Sequence, residues 1–357
     1  MTAADKLVDL LRLPAHCAVV IHDPANMFYL TEGFDGEGLV YLSAARKVIV
    51  TDFRYTEAAA RQAPGFEIVM SSREHSAGKC VAALCEAEGI TELRCETNWL
   101  SVDSFEALRA DVGEEVSFSP LGGAPQQLRR IKTPAEILLM RKAAAITSEA
   151  FDAVLPKIRP GMSEKDLQVE LEYLMYRLGA DGPAFNTIIA SGENGSLPHA
   201  VPGQRKLRAG DLITMDFGAR LGRYCSDMTR TVALGEPSPE MKKVYGTVLR
   251  AQTMCVAALA AGKSCSDIDR LARDYIDSQG YPGRFGHGLG HCLGLEIHEH
   301  PQLNQVSHDT LAAGMVITVE PGIYLPGVGG VRIEDTCLVR ERGSETLTTA
   351  KKELIIL

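Results

Sequence analysis

Four carboxylates recur at matched positions in this sequence. The stretch "AGDLITMDFG" at 209–218 is repeated as "AGMVITVEPG" at 313–322, with Asp216 and Glu320 at the same offset. A second acid follows each: Asp227 in "CSDMTRT" lies 11 residues after Asp216, and Glu334 in "VRIEDTC" lies 14 after Glu320. A lone Asp in a strand is ordinarily a solvated residue. Four acids at equivalent places, within strands this apolar, are not on a solvated face. Buried anions close together stay ionised only beside cations, because desolvation and like-charge repulsion both raise their pKa values. Two divalent metals would neutralise them, and the duplication would supply one pair of ligands from each of two facing hairpins.

A nitrogen ligand is expected nearby. Of nine histidines, His287, His291, His298 and His300 fall within "FGHGLGHCLGLEIHEHP", interleaved with Gly286, Gly288, Gly290 and Gly294. Glycines there let backbone approach a site closely, so this segment reads as the active-site loop. Its spacing is not HExxH, which disfavours a single-zinc site on a helix.

The elements that must position these residues follow from periodicity. In "LITMDF" the side-chain period of two puts Thr214 and Asp216 on one face and Ile213, Met215 and Phe217 on the other. Strands are expected around 212–217, 224–233, 315–320 and 331–340. "TPAEILLMRK" opens with Thr133 at N-cap, Pro134 at N1 and Glu136 at N3, a capping box that starts a long helix. Further helices are expected from Ser163, over 238–262 and over "SDIDRLARDYIDSQG". Upstream, "CAVVI", "GLVYLS", "KVIVTD", "FEIVM", "ELRCE" and "EVSFSP" read as strands, with "RYTEAAARQ" and "AGKCVAALCEAEG" as helices between them. An α/β N-terminal domain over 1–125 and an α+β domain over 126–357 with an internal pseudo-twofold repeat are expected, with the linker in "LGGAPQQLRRIK".

Whole-chain properties narrow the partners. At 357 residues the chain exceeds the usual domain of about 100–200 residues. A net charge of −9 without a Lys/Arg-rich block argues against nucleic acid or an anionic membrane as partner. No apolar run approaches a membrane span, and the N-terminus lacks a secretory pattern, so a cytoplasmic protein is expected. Nine cysteines with no C-x-x-C pair suit reduced, mostly buried thiols.

Taken together these motifs resemble metallopeptidase family M24, the family of prolidase, aminopeptidase P and methionine aminopeptidase. The resemblance covers essentially the whole chain and implies a creatinase-like N-terminal domain followed by a pita-bread catalytic domain. It implies five metal ligands, Asp216, Asp227, His291, Glu320 and Glu334, with Asp227 and Glu334 bridging two ions. His199 in "SGENGSLPHA" and His298 in "IHEHP" correspond to substrate-facing histidines, and Arg332 in "GVRIED" to the arginine of the proline-specific branch. The implied activity is hydrolysis of the bond between an N-terminal residue and proline, with His199 and His298 stabilising the oxyanion and Glu320 shuttling a proton. The hard, oxygen-rich ligand set favours Mn(II), with Co(II), Fe(II) and Zn(II) as alternatives. Short proline-containing peptides are the expected partners, in a homodimer whose N-terminal domains approach the neighbouring subunit's site. One departure stands out: Cys292 follows His291 where the family usually has Gly, read as a buried packing thiol or an oxidation-sensitive neighbour of the metal.

Two substrate readings follow. Arg332 alone does not separate a dipeptidase, or prolidase, from an aminopeptidase acting on longer chains. No second basic residue stands out in the motifs, and the reading leans to Xaa-Pro aminopeptidase. A creatinase-type hydrolase or peptide-binding module without metal is disfavoured by the complete ligand set. Methionine aminopeptidase is disfavoured by the N-terminal domain and by the "HEHP" and "GVRIED" motifs.

Overall fold

The computed structural model describes residues 1–357, which divide into compact units at Met1–Arg129 and Arg130–Leu357. The first unit is built on a six-stranded mixed sheet in the order Glu67–Met70, Lys47–Thr51, Leu39–Leu42, Cys17–Ile21, Glu92–Cys95, Ser117–Pro120. Alternation along its central strand sends Cys17, Val19 and Ile21 into one apolar cluster and Ala18 and Val20 into another, so helices cover both faces. All six strands match the sequence reading. Short helices at Ala3–Leu11, Pro24–Thr31 and Val102–Val112 are additional to it. The segment expected as linker contains the helix Ala124–Arg129, and the division falls after Arg129 rather than after residue 125.

The second unit repeats a helix pair and a hairpin. Thr133 caps the helix Pro134–Val154 through the expected capping box, and Ser163 does the same for Glu164–Arg177 with Asp166. The second pair, Pro239–Ala258 and Cys265–Ser278, is capped by Ser238 and Ser264. Each pair covers its own core. Ile213, Met215 and Phe217 pack with the first pair, and Ile317, Val319 and Val331 with the second.

Strand Leu212–Phe217 pairs antiparallel with Met228–Ala233, with Asp216 opposite Thr229. In the other half, Val316–Val319 pairs antiparallel with Asp335–Val339, with Thr318 opposite Thr336. The strands expected around 224–233 and 331–340 are each interrupted. One divides into Tyr224–Cys225 and Met228–Ala233, the other into Gly329–Arg332 and Asp335–Val339. Both gaps fall at a carboxylate, Asp227 in one and Glu334 in the other. A local break lets a side chain leave the strict in-and-out alternation and re-aim. No helix is long and apolar enough to cross a membrane.

Candidate metal centre and substrate cavity

The two hairpins are stitched to one another where their carboxylates meet. Glu334 N–H donates to Thr229 O (3.0 Å), Thr336 Oγ1 to the Asp227 carbonyl (2.7 Å), and Thr231 Oγ1 to the Arg332 carbonyl (2.9 Å). Behind this seam lies fully buried Arg230, which donates to Asp335 Oδ1 (2.7 Å) and to the Glu334 carbonyl. Asp335 also accepts from Gln252 (2.9 Å), Lys352 (2.6 Å) and Thr348 (3.0 Å). Burial alone would raise the Asp335 carboxyl, and the Arg230 and Lys352 charges outweigh that, leaving it below its usual value. The backbone on both sides of Glu334 is therefore fixed from behind.

In front of the seam opens a cavity of about 300 Å³. It is lined by Asp216, Asp227, His291, Glu320 and Glu334, and by His199, His298 and Arg332, together with Phe185, Ile188, Pro198, His287, Ile297, Gln302 and Asn304. Every site residue expected from the sequence is thus brought to one place. The carboxylate end is buried, whereas His199 and His298 are exposed. His300, the remaining member of the histidine cluster, is exposed and does not line the cavity.

Ligand atoms of Asp227, His291 and Glu334 lie within 4.8 Å of one another. His291 Nε2 stands 3.6 Å from Asp227 Oδ2 and 3.5 Å from Glu320 Oε1. His291 Nδ1 sits 3.1 Å from the Cys292 carbonyl, which can only accept, so Nδ1 carries the proton and Nε2 faces the carboxylates with a free lone pair. Burial, followed by the neighbouring His298 ring, pushes the His291 imidazole down to about 4, so it is neutral near pH 7. The two rings meet edge to face with centroids 4.5 Å apart.

Without a cation the carboxylates are in conflict. Burial, then the charges of Glu334, Asp216 and Glu320, holds the Asp227 carboxyl far above its ordinary value. Burial, then Glu320 and Asp216, does the same to Glu334. Glu320 is pushed up to about 8, again by burial first and then by Asp216, with Arg332 and a bond from Thr318 partly offsetting. One buried oxygen on each of Asp216, Asp227 and Glu334 has no hydrogen-bond partner. Orphaned anionic oxygens are costly in a native interior, and a divalent cation satisfies them. The donor set of four carboxylates and one neutral imidazole fits such ions.

Sequence reasoning left some of the site unassigned. Arg332 Nη2 donates to Asp216 Oδ2 (2.6 Å), Nη1 to Tyr324 Oη (3.0 Å), and Nε to Thr229 Oγ1 (3.2 Å), which in turn donates to Glu334 Oε2 (2.7 Å). His287 Nδ1 donates to the Gly288 carbonyl (2.8 Å), so its Nε2 accepts from Tyr324 Oη (2.7 Å). Tyr324, Thr229 and His287 therefore fix Arg332 in place. The glycines of the histidine loop differ among themselves. A Cβ at Gly290 would run into the Thr318 carbonyl, whereas at Gly286 it would meet nothing within 4 Å.

A family model described as metallopeptidase family M24 matches residues 138–341, and one described as the creatinase/prolidase N-terminal domain matches residues 5–131. The uncharacterized peptidase YqhT of Bacillus subtilis is 42% identical over 342 residues, which cover 95% of this chain and 95% of that one. Among solved structures, an Xaa-Pro dipeptidase from Bacillus anthracis aligns with a TM-score of 0.95 at 40% identity, covering 99% of each chain. An X-Pro aminopeptidase from Thermotoga maritima MSB8 aligns with a TM-score of 0.90 at 34% identity, covering 97% of this chain and 99% of that chain.

Proposed function

The chain belongs to metallopeptidase family M24, and we propose that it cleaves the bond between an N-terminal residue and proline in short peptides, as an Xaa-Pro aminopeptidase with Xaa-Pro dipeptides as secondary substrates. Its fold is a creatinase-type N-terminal domain followed by a pita-bread catalytic domain.

In this reading Asp216, Asp227, His291, Glu320 and Glu334 hold two divalent ions. Mn(II) suits the hard oxygen donors best, and Co(II), Fe(II) and Zn(II) are accommodated by the same set. When bound, such ions make water a nucleophile near neutral pH and polarise a carbonyl oxygen. His199 and His298, at the open end of the cavity, donate to the oxygen on which negative charge develops. Glu320, a ligand carboxylate with a second oxygen free, is placed to carry the proton to the leaving nitrogen. Proline nitrogen carries no N–H, so a peptidase that grips the backbone there fails, and a dedicated site is needed.

The observation that carries the aminopeptidase reading is the state of Arg332. It is the one Lys or Arg lining the cavity, and Asp216 and Tyr324 already engage its guanidinium at 2.6 and 3.0 Å. A dipeptidase must receive the free proline carboxylate right beside the scissile bond, and a desolvated carboxylate needs an uncommitted cation. The dipeptidase, or prolidase, reading is kept as the second one because of the Bacillus anthracis relative. Rates on Ala-Pro-Ala and Ala-Pro with added Mn(II) test the choice. The tripeptide should have the higher kcat/KM. A dipeptide value about tenfold above it, ~1.4 kcal/mol of transition-state binding, would make the enzyme a prolidase.

Two further elements belong to this reading. A homodimer is expected, because the N-terminal unit carries no catalytic constellation of its own and is best explained as a limit on substrate length. Nine buried cysteines with no disulfide among them support a reducing, cytoplasmic setting.

A further inference from the structure

We propose that Glu164 is a positioning residue for this hydrolysis: its buried carboxylate closes residues 191–203 into a fixed loop and so holds His199 over the cavity. The inference rests on the reading of His199 as a substrate-facing donor.

Glu164 has no exposed surface and stands at the first position of the helix Glu164–Arg177. Its side chain is not needed there. Ser163 and Asp166 already complete the capping box of that helix. The carboxylate turns to the loop instead and accepts from Ser191 N (2.8 Å), Ser191 Oγ (2.7 Å), Asn194 Nδ2 (3.1 and 3.2 Å) and Gly203 N (3.3 Å). One anion thus ties the entry of the loop to its exit. Backbone bonds from Glu164 N to the Arg205 carbonyl (3.1 Å) and from Lys165 N to the Gly203 carbonyl (3.0 Å) seat the exit on the same helix end.

The segment needs such a clamp, because its outer part has little else to hold it. Leu197 is 56% and Val201 85% exposed, and no helix or strand covers 197–203. On the cavity side, the Pro198 carbonyl accepts from Arg332 Nη1 (3.3 Å), and His199 follows at once. Gly195 lies so close to the Arg332 strand that an added Cβ would sit 3.0 Å from Gly330 N. The loop is therefore braced at its base by Glu164 and by Arg205, which donates to Ser191 Oγ (2.8 Å) and Glu193 (2.7 Å), and at its inner face by the strand that carries Arg332. Glu164 is the group that reaches Ser191, Asn194 and Gly203 together, so its loss loosens the tie between entry and exit.

Glu164→Gln is the informative variant. It keeps the shape but turns an NH2 toward N–H donors that a carboxylate accepts from on both oxygens, so donor faces donor. In the metal-stripped full chain, amides of 192–203 should exchange at least about tenfold faster than in wild type, with strand 212–217 unchanged. In the metal-loaded enzyme, kcat on Ala-Pro-Ala should fall on the order of tenfold at unchanged metal content. His199→Ala should absorb that effect, so the double variant should turn over no more slowly than His199→Ala alone. Unchanged exchange in 192–203, or kcat losses that multiply in the double variant, would overturn the inference while leaving the peptidase reading intact. Wild-type turnover in His199→Ala would instead remove the role assigned to His199, and the inference with it. If Glu164→Gln does not fold, Glu164→Asp, which keeps the charge one methylene shorter, is read by the same exchange and kinetic criteria.

Discussion

At the scale of single residues, the three orphaned carboxylate oxygens on Asp216, Asp227 and Glu334 say most about the chemistry, since nothing in the protein satisfies them. These acids were legible in the sequence because duplication placed them at repeated offsets in apolar strands. Tyr324 and Thr229 were not, since a lone hydroxyl on a strand carries no signal until the fold brings it to Arg332. Cys292, the departure beside His291, is a buried thiol that burial pushes up to about 12, which suits a packing role over a reactive one. The division of labour can be tested directly. Asp227→Ala and Glu334→Ala should each lose both metal ions, whereas His298→Ala should keep them and lose turnover by roughly 10²–10³, the worth of one oxyanion donor. Metal analysis alongside kcat separates the two outcomes. Equal metal loss in all three would make His298 a ligand.

At the scale of elements, the starts at Thr133 and Ser163, each of which bonds the amide three residues on, and the periodicity that follows them located the long helices of the second unit. Periodicity read through the interruptions at Asp227 and Glu334, because an apolar run looks the same whether or not its ladder is broken. What holds the second break is the buried network around Asp335, whose side chain, like that of Arg230, is at most 1% exposed. Asp335→Ala would leave Arg230 without its anion and should destabilise the protein by about 3–5 kcal/mol. Glu345→Ala, which removes half-exposed pairs with Arg141 and Arg340, should cost under about 1 kcal/mol. Urea unfolding of both variants checks the contrast. Equal, small losses would show that the Arg230–Asp335 pair does not lock the hairpins.

At the scale of the whole molecule, the two units were legible from their different patterns, strands alternating with helices before residue 120 and capped helix pairs after it. The exact seam was not, because Gly122, Gly123 and Pro125 read as a linker while Ala124–Arg129 folds as a helix with the first unit. If the N-terminal unit limits substrate length within a homodimer, the full chain should run at twice its 38.6 kDa mass in light scattering. A chain lacking residues 1–129 should keep its metals and accept longer peptides. A monomer whose length preference survives the deletion would refute that role. The central claim, a dinuclear centre made from duplicated carboxylates and His291, is tested most directly by metal content measured against activity. Purified protein should hold two divalent ions per chain, lose cleavage of Ala-Pro-Ala when a chelator removes them, and regain it with Mn(II). Full activity in the metal-free protein would contradict it.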